Sequence, residues 1–397
     1  MSWLNDVMAC TKEMEAPKTF YYWSALAAVS AILKDRVYIN RGGAFKLYPN
    51  IYVLLYGTSG LRKGHPINLA KKMVMEVDNT RVISGRSSIQ AIIKDLSEAK
   101  TKEGSGGKHR MISDSAGFVV ASEFSNAIIK DPTALTILTD LYDRMYNAGE
   151  WRNMLKSGIE DLKNPTITML GGVNEAQFKD TVSLRDTMGG FIGRTFIILE
   201  RTRGVLNSLW QELDNPPDAS KLAVYLKRVA CLEGEVIYSD DVGRHFDSWY
   251  HEYFKGEVED ETGSALRILE NMLKVAMLLS LSEDEERVIK KSHVDEAIEL
   301  VEPLVFSAKR TVLGQGKASL AGQTATFLTE LLGRPNYKCL RKDMLAKHWR
   351  DFDAEDCDRI ANTMVENNAI TRGLVDNKVV YALTERAVKE LQGLVKK

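Results

Sequence analysis

Residues 51–65, IYVLLYGTSGLRKGH, combine an apolar run with a glycine-containing loop and indicate the class of the fold. The first six are apolar or aromatic, and such an uninterrupted run is typical of a strand buried on both faces of a sheet. A glycine-containing loop follows, and residues 66–74 predict a helix. This order of strand, loop and helix predicts a phosphate-binding loop in an α/β protein.

Within this loop, Gly57 and Lys63 stand in the register of a Walker A motif, in which backbone N–H groups and the lysine hold phosphates. The predicted nucleotide-binding residues are Gly57, Ser59, Gly60, Arg62, Lys63, Gly64 and His65. Gly64 replaces the hydroxyl residue that normally ligates Mg²⁺, so we expect the metal to depend on phosphate oxygens, water and either Ser59 or Glu123. The alternative is a strand–loop–helix connection with an incidental lysine.

Three further apolar runs predict strands of the same sheet, at residues 118–121, 167–170 and 196–199. Glu123 follows the first run and is predicted to act as a catalytic carboxylate and metal contact. Asn174 follows the second, where an amide could hold the attacking water. Arg194 precedes the third and is predicted to reach a γ-phosphate, in a neighbouring subunit, as an arginine finger. The alternatives are a strand-ending acid, a turn amide and an ion-paired arginine.

The pattern of elements divides the chain into four regions. Residues 1–45 are predicted to be helical, 46–204 to form a P-loop core with a mainly parallel sheet, and 205–313 to form a helical lid. A linker around 313–317 precedes residues 318–397, where helices followed by two short strands predict a winged helix. The expected fold is therefore α/β, with a RecA/AAA-like core.

Bulk properties are those of a globular protein: 397 residues, 44% hydrophobic, 27% charged and a net charge of −1. No apolar run approaches the ~20 residues that cross a bilayer, and the start lacks the regions of a signal peptide. The four cysteines lie far apart, without metal-ligand spacing. We expect a cytoplasmic protein that does not bind a membrane.

With these motifs assembled, the chain resembles a family of phage and prophage P-loop proteins that is related to replicative helicases and primase-helicases and is mostly known as a domain of unknown function. The resemblance covers residues 3–308. The motifs that carry it are Tyr48-Pro49-Asn50-Ile51-Tyr52-Val53, Gly57-Thr58-Ser59-Gly60-Leu61-Arg62-Lys63-Gly64, Ser122-Glu123, Leu141-Tyr142-Asp143, Asn164-Pro165, Leu170-Gly171-Gly172 and Gly189-Gly190-Phe191-Ile192-Gly193-Arg194. His65 replaces the threonine that usually follows in phage members.

The resemblance implies an oligomeric, hexameric ATPase that uses ATP and Mg²⁺ and acts on single-stranded or forked DNA, with a primase or polymerase as a further partner. Lys63, Glu123, Asn174 and Arg194 carry over by position. Two residues of a predicted helix over 265–281, Arg267 and Lys274, are candidates for a phosphate sensor on the lid; solvated helix charges are the alternative.

Two segments are predicted to contact DNA. Residues 151–158 could form a hairpin that points into the pore of a ring, where Arg152 and Lys156 would meet phosphates; a surface hairpin without a partner is the alternative. In the tail, a basic strip contains Lys338, Arg341 and Lys342. The helix expected to read DNA is acidic, so docking of a protein or simple closure of the ring is the alternative for the tail.

The function that these observations favour is a DNA-translocating replicative helicase that works as a ring. A helicase loader or replication initiator that uses ATP as a switch is the first alternative. A DNA-binding scaffold with a vestigial phosphate loop is the second. Strand separation that depends on ATP distinguishes the helicase from both.

Overall fold

The computed structural model of the chain describes residues 2–43, 45–85, 87–98, 100–103, 109–112, 114–124, 133–143, 150–155, 158–174, 190–207, 213–255, 263–312, 320–348, 353–375 and 378–389. It divides into two compact units, Met1–Lys309 and Arg310–Lys397. The division lies close to the linker predicted at 313–317.

A five-stranded, all-parallel sheet forms the centre of the first unit. Its strands are β3 (Tyr52–Gly57), β4 (Val82–Ser84), β7 (Ala116–Ala121), β10 (Thr166–Asn174) and β11 (Thr195–Leu199), and their spatial order is β11-β3-β10-β7-β4. All six residues of β3 are buried, as the apolar run predicts for a strand covered on both faces. The predicted α/β class and parallel sheet are confirmed.

Helices cover both faces of this sheet. They include α1 (Trp3–Cys10), α2 (Lys18–Leu33), α3 (Gly64–Met75), α4 (Ile89–Ser97) and α5 (Ala134–Tyr142). On one face, the hydroxyl of Ser30 in α2 lies 2.6 Å from that of Thr168 in β10. On the opposite face, the hydroxyl of Tyr52 donates to the carbonyl of Leu138 in α5 at 3.0 Å. Since α2 is apolar on all sides, it is buried almost throughout.

Three hairpins surround the sheet. They consist of β1 (Val37–Arg41) with β2 (Phe45–Leu47), β5 (Lys100–Glu103) with β6 (His109–Ile112), and β8 (Glu150–Leu155) with β9 (Gly158–Lys163). The last contains the segment that was predicted to form a hairpin. The first corrects the prediction that residues 1–45 are helical. Val37 and Ile39 alternate inward along β1, and Gly42 and Gly43 have φ of +59° and +73° in the turn.

The region predicted to be a helical lid contains α6 (Ala219–Val229), α7 (Asp240–Tyr253), α8 (Ile268–Glu283), α9 (Lys291–Val312) and the short strands β12 (Gly234–Glu235), β13 (Ile237–Tyr238) and β14 (Val288–Ile289). Residues of α8 share one hydrophobic core with α2, α3 and the sheet. The three regions predicted over 1–313 therefore fold as one compact unit, because the apolar sides of α2 and α8 cover each other.

The second unit contains α10 (Leu320–Leu332), β15 (Lys338–Leu340), α11 (Arg341–Lys347), α12 (Ala354–Glu366), β16 (Ile370–Val375) and β17 (Lys378–Leu383). Its antiparallel sheet has the order β15-β17-β16. Asp353 caps α12 by accepting from the backbone N–H of Asp356 at 2.9 Å. Its core is separate and centres on Phe327 and Tyr381, whose rings lie 5.3 Å apart.

No helix among the residues that the structure describes is both long and apolar enough to cross a membrane.

Candidate functional site

The loop over residues 57–63 joins the carboxyl end of β3 to the start of α3. Gly57 is required at its first position, since a Cβ there would lie 2.5 Å from the Glu200 carbonyl oxygen and from a Leu61 methyl carbon. Gly60 has φ of +90°, which favours glycine. Leu61 is buried, while Ser59 and Gly60 are exposed. The loop is thus anchored at its base and open to solvent along its rim.

Lys63 folds back over this loop. Its amine donates to the carbonyl oxygens of Gly57 and Thr58, both at 2.8 Å. Burial lowers the pKa of the amine. Both of these acceptors are neutral carbonyl oxygens. A negatively charged phosphate oxygen accepts a stronger hydrogen bond from an amine, so a phosphate at the loop would compete well with the carbonyls for the Lys63 amine.

The ends of three strands bring the predicted residues to one edge of the sheet. Asn174 pairs with Gly57 in the register of β10 and β3. Ala121 pairs with Gly171, so Ser122 and Glu123 leave the sheet on the same side. This side, formed by the carboxyl ends of the parallel strands, is called the carboxyl edge. Ser122 and Glu123 are both exposed. The structure therefore brings together the loop, Glu123 and Asn174, as their positions after apolar runs predict.

A glycine also controls this approach. A Cβ on Gly172 would lie 2.4 Å from the Ser122 carbonyl oxygen and 3.2 Å from a side-chain carbon of Ile67 in α3. The chain that carries Glu123 can therefore pass close to β10 and to the helix after the loop. Any side chain at Gly172 would push Glu123 away from the loop.

Two residues that the sequence reading missed border the loop. Glu15 accepts from Arg62 Nε at 2.8 Å and from Arg203 Nη1 at 3.0 Å, and Arg203 Nε also donates to the Gly60 carbonyl at 3.2 Å. The hydrogen bond from Arg62, helped by both positive charges, lowers the pKa of Glu15. Arg62, predicted to face phosphate, is thus engaged by a carboxylate. Arg203 lies just beyond the end of β11, and this position in the sequence could have predicted that it borders the loop.

The residues present fit a nucleotide whose metal is held mainly by phosphate and water. Gly64 and His65 are exposed at the start of α3, and Gly64 offers no side-chain ligand. Among the described residues, no three His, Cys, Asp or Glu side chains gather as they would around a metal ion. Mg²⁺ normally uses one or two carboxylates with phosphate oxygens and water, and Glu123 is a carboxylate at this edge.

Arg194, Arg267 and Lys274 lie at the other edge of the sheet, the amino edge. Arg194 immediately precedes β11, whose first residue pairs with Tyr52 at the start of β3. The six residues of β3 span about 20 Å. These three side chains are therefore too far from the 57–63 loop to touch a phosphate held there by the same chain. For Arg267 and Lys274, predicted to form a phosphate sensor on the lid, the structure gives a position at the end of the sheet opposite the loop of the same chain.

The centre of the amino edge is Asp143. Both Nε and Nη2 of Arg194 donate to its Oδ2, the first at 2.9 Å, and Arg267 Nη1 lies 3.5 Å from the same oxygen. Arg194 Nη1 also donates to the Gly190 carbonyl at 2.8 Å. Arg194 is only 8% exposed. In a single chain, the predicted finger is held in a buried ion pair.

Lys274 is the most deeply buried charge of this edge, with 3% exposure. Its amine donates to the backbone oxygen and the Oδ1 of Asn50, at 2.8 and 2.9 Å, and lies 3.8 Å from the centroid of the Tyr142 ring. Burial lowers the pKa of Lys274 to about 7, against the opposing effect of Asp143 and Glu270. The lysine is a structural cation of the core and not a solvated helix charge.

The residues predicted to contact DNA fall on two surfaces. On the β8–β9 hairpin, Arg152 is exposed and bonds across the strands to Asp161 at 2.6 Å. Met154 and Ile159, which pair further along the hairpin, are 76% and 64% exposed. Lys156 lies outside the described residues. The end of the hairpin therefore presents apolar side chains beside an arginine whose charge is paired.

In the second unit, Lys338 and Lys342 are exposed. Arg341 instead forms two hydrogen bonds of 2.8 Å with Asp358 of α12, so its predicted role in DNA contact competes with a structural one. Glu330 neutralises further members of the basic strip, accepting from Lys347 and Arg334, each at 2.7 Å. The free positive charge of the strip is smaller than the sequence suggests.

Comparison with known proteins finds no protein family that matches this sequence and no curated protein that matches it.

Proposed function

We propose that this chain binds ATP through the 57–63 loop and works as an oligomeric, RecA/AAA-like P-loop ATPase that translocates on DNA as a replicative helicase. The observation that carries the proposal is the carboxyl edge of the sheet. Gly57, Lys63, Glu123 and Asn174 come from three neighbouring strands, and they meet beside the start of α3.

The strand order supports a nucleotide site at this edge. The chain leaves β3 for the far edge at β4, returns through β7 to β10, and then crosses to β11 on the other side of β3. In open parallel sheets, ligands bind outside the carboxyl ends of the strands, where the order reverses. That point is the 57–63 loop, and the N–H groups at the start of α3 add a site for negative charge.

Each residue then has a defined task. Lys63 would exchange the carbonyls of Gly57 and Thr58 for phosphate oxygens, and backbone N–H groups of the loop would hold the rest. Glu123 would orient the attacking water, with Asn174 beside it. Bound Mg²⁺ would supply charge neutralisation on the phosphates. Arg194, at the opposite edge, would serve the site of an adjacent copy.

The two remaining features of the proposal concern DNA. The order of helices and strands over α10–β17 supports a winged helix, and Lys338 and Lys342 are two exposed cations in its basic strip. On the first unit, the exposed Met154 and Ile159 suit contact with bases better than with phosphates. A protein partner such as a primase or polymerase remains the alternative occupant of the second unit, because the exposed face of α12 is acidic at Glu355 and Glu366.

The test compares Lys63→Ala with Lys72→Ala, an exposed lysine of α3 that serves as the matched control. We expect the ATP affinity of Lys63→Ala to fall at least tenfold, because the positive charge that faces the phosphates is removed. Its thermal stability should not change. Lys72→Ala should bind as wild type does. Calorimetric titration with ATP measures both. Equal affinity in wild type and Lys63→Ala would refute the proposed site.

A second assay separates the helicase from its rivals. The wild-type chain should unwind a forked duplex only with ATP, while Lys63→Ala should not. Two observations favour the ATP-switch alternative. Gly64 provides no side-chain ligand for the metal, and Arg194 is hydrogen-bonded to Asp143. Turnover in a single chain should therefore be slow. ATP binding without strand separation would support the loader, and DNA binding without ATP binding would support the scaffold.

A further inference from the structure

We propose that Arg267 acts together with Arg194 on the terminal phosphate of the nucleotide carried by an adjacent copy of this chain, and that Asp143 occupies this phosphate site in the single chain. The inference rests on the proposed function and extends it. It assigns Arg267 a role between subunits, whereas the sequence suggested a role within one.

The first step is position. Arg267 precedes α8, and its Cδ would lie 3.2 Å from a Cβ on Gly193, so its stem packs against the segment that carries Arg194. Asn271, one turn further along, donates to the Gly193 carbonyl at 3.1 Å. The two arginines therefore form one rigid group. Because this group lies about 20 Å from the chain's own loop, any phosphate it binds must come from elsewhere.

The second step is charge. A cleft at this edge is lined by Lys46, Asn50, Tyr142, Asp143, Arg267, Glu270 and Lys274, among others. Arg194 and Arg267 both point at a single carboxylate oxygen of Asp143, while Glu270 is shared with Arg41 at 3.5 Å. Cations thus outnumber carboxylates around the cleft. An anion with more oxygens than one carboxylate would satisfy both guanidinium groups more fully.

The third step is an unused polar group. The hydroxyl of Tyr142, one of the lining residues, is buried and has no hydrogen-bond partner among the described residues. Buried hydroxyls normally have a partner, and leaving one without costs about 1–3 kcal/mol. The neighbouring Asp143 is bonded to the arginines instead. A phosphate in place of the Asp143 carboxylate offers oxygens to Arg194, Arg267 and this hydroxyl together.

The main experiment mixes variants. Arg267→Ala should bind ATP with the affinity of wild type, because the loop is untouched, but lose at least tenfold in turnover and in ATP-promoted self-association. Mixed with equal amounts of Lys63→Ala, it should recover part of both, since some interfaces then join an intact loop to an intact arginine pair. Arg267→Lys should retain an intermediate activity. No recovery, with mixed oligomers verified by sedimentation, would overturn the role between subunits.

Asp143→Asn tests the competing carboxylate. It keeps the shape of the side chain and removes its charge, so ATP-promoted self-association should occur at roughly tenfold lower protein concentration. Asp140→Asn, at an exposed position of α5, the helix that directly precedes Asp143, is the matched control and should behave as wild type. Unchanged or weaker association in Asp143→Asn would show that the carboxylate only supports the fold, and would overturn this part of the inference.

Free phosphate is the other source of the same chemistry. Tripolyphosphate titrated into dilute Lys63→Ala should not bind measurably. If it binds, and if adding Arg267→Ala abolishes the binding, the cleft takes a free anion. That outcome would contradict the proposal that the phosphate comes from a neighbouring copy. A wild-type chain that binds no ATP would refute the proposed function and this inference with it. Normal ATP binding without any effect of Arg267→Ala would refute the inference alone.

Discussion

The two ends of strand β3 carry opposite kinds of charged site. At the carboxyl edge, most residues of the 57–63 loop are exposed, and within the described part of the chain the Lys63 amine donates to neutral carbonyl oxygens. At the amino edge, Arg194 and Lys274 are 8% and 3% exposed, and Asp143 already holds the arginine. Among the described residues, the hydrogen bonds of Lys63 therefore involve no carboxylate, whereas Arg194 already has a carboxylate partner. On the proposed function, this difference predicts that a single chain binds a nucleotide but turns it over slowly.

The largest expected effect comes from Arg194→Ala. If the amino edge completes the site of a neighbour, turnover should fall by roughly 10³-fold or more, the range for an arginine finger, with ATP affinity nearly unchanged. Mixing with Lys63→Ala should restore part of the rate. Arg228→Ala, an exposed arginine of α6, is the control and should keep its rate. Rates are measured by phosphate release.

Arg194→Ala also leaves the partly buried Asp143 without its main partner; breaking a fully buried pair costs on the order of 3–5 kcal/mol, and we expect a loss of stability up to that size. Unfolding of the variant must therefore be measured beside its rate. Arg194→Lys keeps a charge near Asp143 and separates the two effects. If Arg194→Lys folds and has the turnover of wild type, a planar guanidinium is unnecessary at this position. That result would contradict the role of Arg194 as an arginine finger.

The next largest effect is the dependence of the free energy of unfolding on pH, through Lys274. Because the folded chain holds Lys274 with a pKa of about 7 and the unfolded chain with a pKa near 10.4, the unfolded state binds more protons above pH 7. The free energy of unfolding should therefore rise with pH through this window, by about 2 kcal/mol between pH 7 and 8.5 from this group. Urea unfolding followed by tryptophan fluorescence measures it.

In Lys274→Met this contribution disappears, so the rise in stability between pH 7 and 8.5 should be smaller than in wild type, whatever the absolute stability of the variant. Lys72→Met, at an exposed position of α3, is the control for loss of a lysine and should keep the slope. Parallel pH profiles for wild type and Lys274→Met would show that the amino edge is better solvated than its 3% exposure implies.

The smallest expected effect belongs to the open edge. A Cβ on Gly64 would meet nothing within 4 Å, so both Gly64→Ser and Gly64→Ala should fold. Serine adds the hydroxyl that can fill one coordination position of Mg²⁺, and we expect a several-fold gain in turnover at low Mg²⁺ concentration. Gly64→Ala carries the same Cβ without the hydroxyl and should show no gain. Equal rates in all three proteins would mean that the missing hydroxyl is irrelevant.

The sequence by itself determined the parallel sheet and the gathering of Gly57, Glu123 and Asn174. Apolar runs reveal buried strands, and the carboxyl ends of parallel strands meet at one edge, so residues that directly follow such runs must lie near one another. The hairpin over β1 and β2 was missed, although Gly42-Gly43 marks its turn, because the helical periodicity of the preceding residues was extended too far.

Which charged side chains have hydrogen-bond partners, and which partners these are, follows from the tertiary structure alone. Arg194 and Asp143 are 51 residues apart, Arg203 and Glu15 are 188 apart, and Lys274 and Asn50 are 224 apart. No local pattern links such pairs, since each depends on how helices and loops pack on the finished sheet. The same packing placed Arg267 and Lys274 at the amino edge, because α8 buries its apolar side against α2 and so carries both cations away from the chain's own loop.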